Sequence, residues 1–391
     1  MKIAFIKPNE LGLFTMSMSQ PNTIPLFRDY PRLEERLPRV SLASLPTPVE
    51  KLEQLGDAVG AKELYIKRDD VSGAIYGGNK VRKLEFLLAD ALHAGAKEVI
   101  TVGFAGSNHA LATAIYARQL GLNSASLLMP QVNAHYVRRN LLASQHYRAR
   151  LCHYENLPLL CLGILAQLGR GVLKQGTLPR YIPGGGSCPL GLIGYVNAAF
   201  ELRDQIAEGK LREPDLIYVP LGSMGTAAGL MLGLKASGLK TRVIPVRVIE
   251  ERLASPKRMI RLIEQTASLL CRLAPDFPRV ALSEGELFVR NDCLGEGYAR
   301  FTEKASKAAR LVKTKSGIIL NGTYSAKAFS ALLDDAERGE LRDKTVLFWN
   351  TYNSRDLSAC VSGVDYHLLP EPFHAYFEMD VQPLDREGPD Q

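Results

Sequence analysis

Between residues 63 and 349, short apolar runs alternate with longer segments whose apolar positions recur every three or four residues. Glu63-Leu64-Tyr65-Ile66-Lys67 predicts a strand, and Val81, Leu84, Leu87, Leu88 and Ala91 share one face of a helix that stops at Gly95. Glu98 to Val102 is the next strand, followed by a glycine-rich turn and a helix carrying Leu111, Ala114 and Ile115. Asp215 to Val219 predicts another, then a glycine loop and a helix of small residues to about Gly238. Val243 to Val248, Ile318 to Leu320 and Val346 to Trp349 complete the strand-like runs. Repeated strand-loop-helix units predict an α/β fold with a mostly parallel sheet covered on both faces. Ligands in such folds gather at the carboxyl ends of the strands, so the loops there carry the chemistry. The two ends break the pattern: residues 1–40 are polar and proline-broken after a short apolar run, and 371–391 predict a poorly ordered extension.

The length of 391 residues suits two domains or one large split one, and 46% hydrophobic with 23% charged residues excludes a largely disordered chain. A net charge of +7, spread along the sequence, suits small anionic ligands as readily as nucleic acid. No basic-aromatic stripe accompanies it, so nucleic acid is not expected as a partner. Six cysteines form no CxxC pair and no HExxH occurs, which argues for reduced thiols and no zinc site. The run Ile3-Ala4-Phe5-Ile6 is too short for a secretory signal. The stretch from Leu157 to Leu168 carries Pro158 and Gly163 and falls short of the roughly 18 residues of a membrane span. A cytoplasmic enzyme is therefore expected.

Three loops hold candidate chemistry. Pro220 to Gly229, with Gly222-Ser223-Met224-Gly225-Thr226 at its centre, leaves a strand and enters a helix, where converging N–H groups and two hydroxyls suit a phosphate. The plain alternative is a tight turn. It lacks the Gly-Lys-Ser/Thr of a P-loop, and a nucleophile elbow at Ser223 would want glycine where Leu221 stands. In the second loop, Tyr76-Gly77-Gly78-Asn79-Lys80-Val81-Arg82-Lys83, Lys80 opens a helix beside other cations, which disfavours its protonated form and suits a Schiff-base nucleophile, although for a lysine in isolation a basic, solvated helix start is much the commoner case. The third, Gly103 to His109, places Ser107 as a helix cap or as part of a carboxylate site, with Asn108 able to donate to a phenolate-type oxygen.

Together with Ile66-Lys67-Arg68-Asp69-Asp70, Ile182-Pro183-Gly184-Gly185-Gly186-Ser187 and Gly194-Tyr195, these blocks resemble the fold-type II pyridoxal-phosphate enzymes, in particular the D-cysteine desulfhydrase and 1-aminocyclopropane-1-carboxylate deaminase family. The resemblance runs from about Thr47 to Thr351. It implies two open, twisted, mostly parallel sheets flanked by helices, with a large cofactor domain (1–81 and 182–370), an inserted small domain (82–181) and a tail (371–391). It also implies that Lys80 holds pyridoxal 5'-phosphate as an imine. Gly222, Ser223, Met224, Gly225 and Thr226 would take its phosphate with Lys83, and Asn108 its ring hydroxyl. Ser325 would meet the pyridine nitrogen. Ser107, Asn108 and His109 would bind the substrate, with Ser107 and neighbouring amides on its carboxylate, and Tyr324 would stand close to it. A homodimer is the family's habit.

Three departures count against cyclopropane ring opening and point to a different substrate. The deaminase pattern has glutamate where Ser325 stands, a tyrosine where the alignment places Asn291, and a glycine pair where this chain has Asn350-Thr351-Tyr352-Asn353-Ser354-Arg355-Asp356. Arg355 could hold a second substrate carboxylate or simply pair with Asp356. The activity implied is a lyase acting on a small amino acid, with α-proton loss and β-elimination to a keto acid and ammonia. β-Replacement, racemisation and an inactive cofactor-binding protein are the alternatives.

Overall fold

The computed structural model describes residues 23–61 and 63–386. Two sheets organise them. β1 (Val49–Lys51), β2 (Glu63–Lys67), β7 (Leu216–Leu221), β8 (Arg242–Arg247) and β9 (Thr345–Trp349) form the larger, in the order β1-β2-β9-β7-β8. All its pairings are parallel except that of the edge strand β1 with β2. β3 (Glu98–Phe104), β4 (Asn123–Met129), β5 (Arg150–His153) and β6 (Arg180–Ile182) form a second, wholly parallel sheet in the order β5-β4-β3-β6. The expected mostly parallel architecture is thus present, divided over two sheets.

The helices that matter for the site are α1 (Lys80–His93), α2 (Asn108–Gln119), α3 (His135–His146), α4 (Leu157–Gln175), α5 (Pro189–Ala207), α6 (Gly225–Ala236), α7 (Pro256–Leu273), α8 (Glu303–Ser316) and α9 (Ser325–Glu337). Local chemistry sets their starts. Ser107 caps α2 by accepting from Ala110 N–H, and Asn156 caps α4 by accepting from Leu159 N–H. α5 and α6 pack so closely that a Cβ at Gly229 would lie 2.5 Å from Tyr195 Cβ, which explains the small-residue character of α6.

Several expectations change. Ile318–Leu320 forms no strand; it is a buried, extended link from α8 to the turn before α9. The stretch at 157–168 belongs to one unbroken helix of 19 residues, because Pro158 sits in the first turn, where its missing N–H is harmless, and Gly163 packs on the Tyr154 ring. α4 is long and apolar enough to cross a membrane by length and composition, and it packs on β3 and β4. Of the tail, residues 371–386 are ordered against the rest of the chain: Tyr376 OH accepts from Gln131 N–H (3.0 Å), Asp385 Oδ2 from His135 N–H (2.6 Å) and Gln382 Oε1 from Phe301 N–H (2.7 Å). Near the other end, Leu26, Phe27 and Leu33 are buried in the large core. The run at Ile3–Ile6 lies outside the described residues.

A buried charge cluster fastens β2, α1, α5 and β9 behind the strand ends. Arg82 donates to Asp69 (2.8 Å) and Glu201 (2.9 Å), and Lys67 Nζ donates to Glu201 (2.6 Å). Asp69 also accepts from Tyr195 OH and Trp349 Nε1, both at 2.7 Å. The Ile66–Asp70 block is therefore scaffold, and its cluster holds the first turn of α1, where Lys80 stands.

Candidate active site

A cavity of about 250 Å³ opens where the carboxyl ends of both sheets face each other. Among its lining residues are Lys80, Ser107, Asn108, His109, Gly222, Ser223, Met224, Gly225, Thr226 and Tyr324, so three loops distant in sequence converge on one space. Lys83 points to the same region from below. Its Nζ donates to Gly185 O at 3.0 Å, and a Cβ on Gly225 would come within 2.6 Å of that nitrogen.

The electrostatics ask for an anion. Burial lowers the Lys80 amine to about 8. Burial and then the Lys80 charge hold Lys83 well below its ordinary value, and burial with both lysines does the same to His109. The acceptors of Lys83, Gly185 O and Ser187 Oγ (3.5 Å), are neutral. A buried ammonium without a counter-charge is unfavourable, and a phosphate beside it would supply one.

The Gly222–Thr226 loop lines the same cavity. Met224 adopts φ 68°, a strained left-handed conformation outside glycine, and turns the chain into α6. Ala228 N–H closes the first helical turn on Met224 O and Gly225 N–H donates to Ser187 Oγ (3.2 Å), so the amides of Thr226 and Ala227 are those the helix start leaves to an anion. Thr226 Oγ1 accepts from Asn79 Nδ2 (2.8 Å), whose Oδ1 in turn accepts from Lys80 Nζ (2.7 Å). Asn79 thereby ties the loop to the lysine. Nothing in the sequence sets Asn79 apart from its neighbours in the Gly77–Lys83 loop.

On the opposite wall, Asn108 Oδ1 accepts from Asn140 Nδ2 (2.9 Å) and Tyr76 OH (3.2 Å), which leaves its own NH₂ group for an oxygen in the cavity. Ser107 Oγ accepts from Ala110 N–H (3.2 Å), so its proton is the part available to a ligand. The Gly106 amide already donates to Gln131 Oε1 (2.9 Å); the amides left to a carboxylate are those of Asn108 and His109 at the start of α2.

A second tyrosine stands beside Tyr324. Asn291 accepts from Arg247 Nε (2.6 Å), whereas Tyr298 lines the cavity with its hydroxyl bonded to that of Tyr324. Lys327 Nζ donates to Leu294 O (2.6 Å) and Glu250 Oε1 accepts from Tyr298 N–H (3.2 Å), fixing the turn that carries it. No periodicity marks Tyr298 in sequence; two glycines just before it were the available signal. Burial raises Tyr324 to about 12, so both hydroxyls stay protonated.

Two anticipated residues stand apart from the lining. Ser325 is buried one position behind Tyr324, its Oγ accepting from Asn321 N–H (2.8 Å). Arg355 turns away: it donates to Gly73 O (2.8 Å) and Val71 O (3.1 Å), while Asp356 accepts from Ser358. Its guanidinium props the loop after β2 and forms neither the substrate contact nor the Asp356 pair considered for it. Tyr352 and Phe104, which the sequence did not single out, are part of the cavity wall.

Comparison with known proteins agrees with this geometry. The family described as pyridoxal-phosphate dependent enzyme matches residues 40–351. The chain is 33% identical over 321 residues to a putative 1-aminocyclopropane-1-carboxylate deaminase of Pyrococcus abyssi, covering 82% of this chain and 92% of that protein. It is 34% identical over 323 residues to a D-cysteine desulfhydrase of Yersinia enterocolitica, covering 81% and 94%. The crystal structure of a 1-aminocyclopropane-1-carboxylate deaminase homologue superposes with a TM-score of 0.70 at 33% identity, over 84% of this chain and 94% of that one. With the family match spanning most of the sequence and the lysine, glycine loop and carboxylate loop meeting in one cavity, the chain belongs to the pyridoxal-phosphate dependent enzymes.

Proposed function

We propose that this enzyme is a lyase that removes the α-proton of a small amino acid, expels its β-substituent and yields a keto acid and ammonia. The observation that carries the reading is the position of Lys80, an amine that burial lowers to about 8, between the Gly222–Thr226 loop and the Ser107–His109 amides. Pyridoxal phosphate, when bound, supplies the electron sink for the α-carbon. The chain's own residues do the rest. Lys80, Ser223 and Thr226 with Lys83 anchor the cofactor, Asn108 orients its ring, and Ser107 with the Asn108 and His109 amides fixes the substrate carboxylate. The freed Lys80 amine is the base for the α-proton, and the protonated Tyr324–Tyr298 pair can donate to the departing group. Homodimeric assembly and a cytoplasmic setting belong to the same reading. The test is a screen of D- and L-amino acids by absorbance, with keto acid and ammonia as products; release of neither from any of them would overturn it.

Gly225→Val should weaken pyridoxal phosphate binding by at least about tenfold, since a Cβ there meets Ser187 Oγ at 2.5 Å and Lys83 Nζ at 2.6 Å. Dialysis followed by cofactor titration measures it. Unchanged retention would place the phosphate elsewhere.

Ser325 bears on the outcome of the reaction. It lies one position behind the Tyr324 wall, and because its Oγ accepts from Asn321 N–H its own proton is left over; a hydroxyl donating that proton to the pyridine nitrogen would leave the ring unprotonated, whereas a carboxylate would keep a proton there and deepen the electron sink. Elimination should therefore outrun reprotonation at the α-carbon. Product release faster than racemisation, followed by chiral chromatography, is the expected result, and Ser325→Glu should shift the ratio toward racemisation.

A further inference from the structure

The segment after β9, Asn350-Thr351-Tyr352-Asn353, has a definite place in the structure. Thr351 O accepts from Asn79 N–H (3.1 Å) and Asn353 Oδ1 from Gly77 N–H (2.6 Å), which staples the segment to the Lys80 loop on both sides of residue 352. Tyr352 N–H donates to Asn350 Oδ1 (3.3 Å), and the Tyr352 side chain is buried in the cavity wall. Its hydroxyl accepts a hydrogen bond from the guanidinium of Arg139, which lies 6.0 Å from the centre of its ring. Arg139 comes from α3, between two strands of the four-stranded sheet, whereas Tyr352 follows the last strand of the five-stranded one.

We propose that Tyr352, polarised by Arg139, is the specificity-determining residue of the site and selects amino acids whose side chain ends in an anionic hydrogen-bond acceptor, a carboxylate above all. The proposal rests on the amino-acid-lyase reading above. A phenol that accepts from a guanidinium becomes a stronger donor, because the neighbouring charge draws electron density from its oxygen. A carboxylate reaching that hydroxyl gains a charge-assisted bond and the field of the arginine behind it. An apolar side chain of the same size gains neither and covers a polar group without replacing its hydrogen bonds. Tyr352 touches the substrate; Arg139 acts through it as a positioning residue.

The test is equilibrium binding to the holoenzyme of two amino acids that lack an α-proton and cannot react: α-methylaspartate, in both enantiomers, and α-aminoisobutyrate. The bound cofactor's absorbance and calorimetry are the readouts. One α-methylaspartate enantiomer should bind the unaltered enzyme at least about tenfold more tightly than α-aminoisobutyrate. Tyr352→Phe should erase that advantage and leave α-aminoisobutyrate within about twofold, and Arg139→Lys should restore more of it than Arg139→Ala. Equal affinity of the unaltered enzyme for both compounds would overturn the proposal and leave the lyase reading standing, whether or not any variant folds. An equal loss for both compounds in Tyr352→Phe would also overturn it. Binding of neither compound, with no amino acid consumed, would overturn the lyase reading and this proposal with it.

Discussion

Lys80→Ala should lower turnover by about 10⁴-fold and abolish covalent attachment of the cofactor, with the fold retained. Lys80 stands at the first position of α1, after Asn79, and its backbone continues a helix held by residues other than its side chain. The amine makes one hydrogen bond to Asn79 Oδ1, so its removal leaves no buried charge without a partner. Burial lowers it to about 8, which leaves about a tenth of it unprotonated at pH 7, where an exposed lysine would have almost none. Borohydride reduction of the unaltered enzyme followed by peptide mapping should place the cofactor on Lys80. An adduct on Lys83 or Lys327, two further lysines that burial lowers, would sink the assignment. Lys83 is the stricter control. It faces Gly185 and Gly225 on the phosphate side, so Lys83→Ala should weaken cofactor binding while the adduct stays on Lys80.

How far the sequence reveals this site depends on how local each signal is. Loops that leave a strand and open a helix were legible, because glycine, serine and helix periodicity stand side by side at 77–84, 103–109 and 220–229. Residues whose role depends on distant partners were not. Arg355 looked free for a substrate because nothing near it in sequence shows the carbonyls of Val71 and Gly73 that its guanidinium meets. Tyr298 is unmarked in the sequence because its turn is irregular and is held by Lys327 and Glu250, far away in sequence. The same distinction runs through the fold. β4 and β5 carry Ser124, Ser126 and Arg150 among their apolar residues, and only their parallel neighbours make them strands. Ile318–Leu320 is apolar with no ladder partner and stays a link. The tail's order comes from Gln131, His135 and Phe301, none of which its own composition shows.

Arg82→Met should destabilise the protein by about 3–5 kcal/mol, among the larger effects of any single substitution here, although Arg82 touches no ligand. Its side chain is 1% exposed and is shared between Asp69 and Glu201; without it Asp69 loses its cation and Glu201 keeps only Lys67. The paired Arg28–Asp204 at 2.9 Å makes the contrast, for Arg28 is 55% exposed and Arg28→Ala should cost less than about 1 kcal/mol. Acid gives an independent handle on the same cluster. Burial would raise the Glu201 carboxyl, but Arg82 and Lys67 together bring it down to about 2 from an ordinary 4.5. A carboxyl lowered in the folded state contributes stability that is complete above 4.5 and is lost as the pH falls toward 2. Urea midpoints of the unaltered protein should therefore fall over that window. In Arg82→Met the Glu201 carboxyl moves back toward its ordinary value, so this part of the acid dependence should shrink while the midpoint at pH 7 is already low. A variant as stable as the original at pH 7 would mean that Lys67, Tyr195 and Trp349 hold Asp69 and Glu201 without the arginine. Because the cluster anchors the first turn of α1, the variant should also hold its cofactor less tightly at temperatures where it remains folded, which cofactor titration would measure.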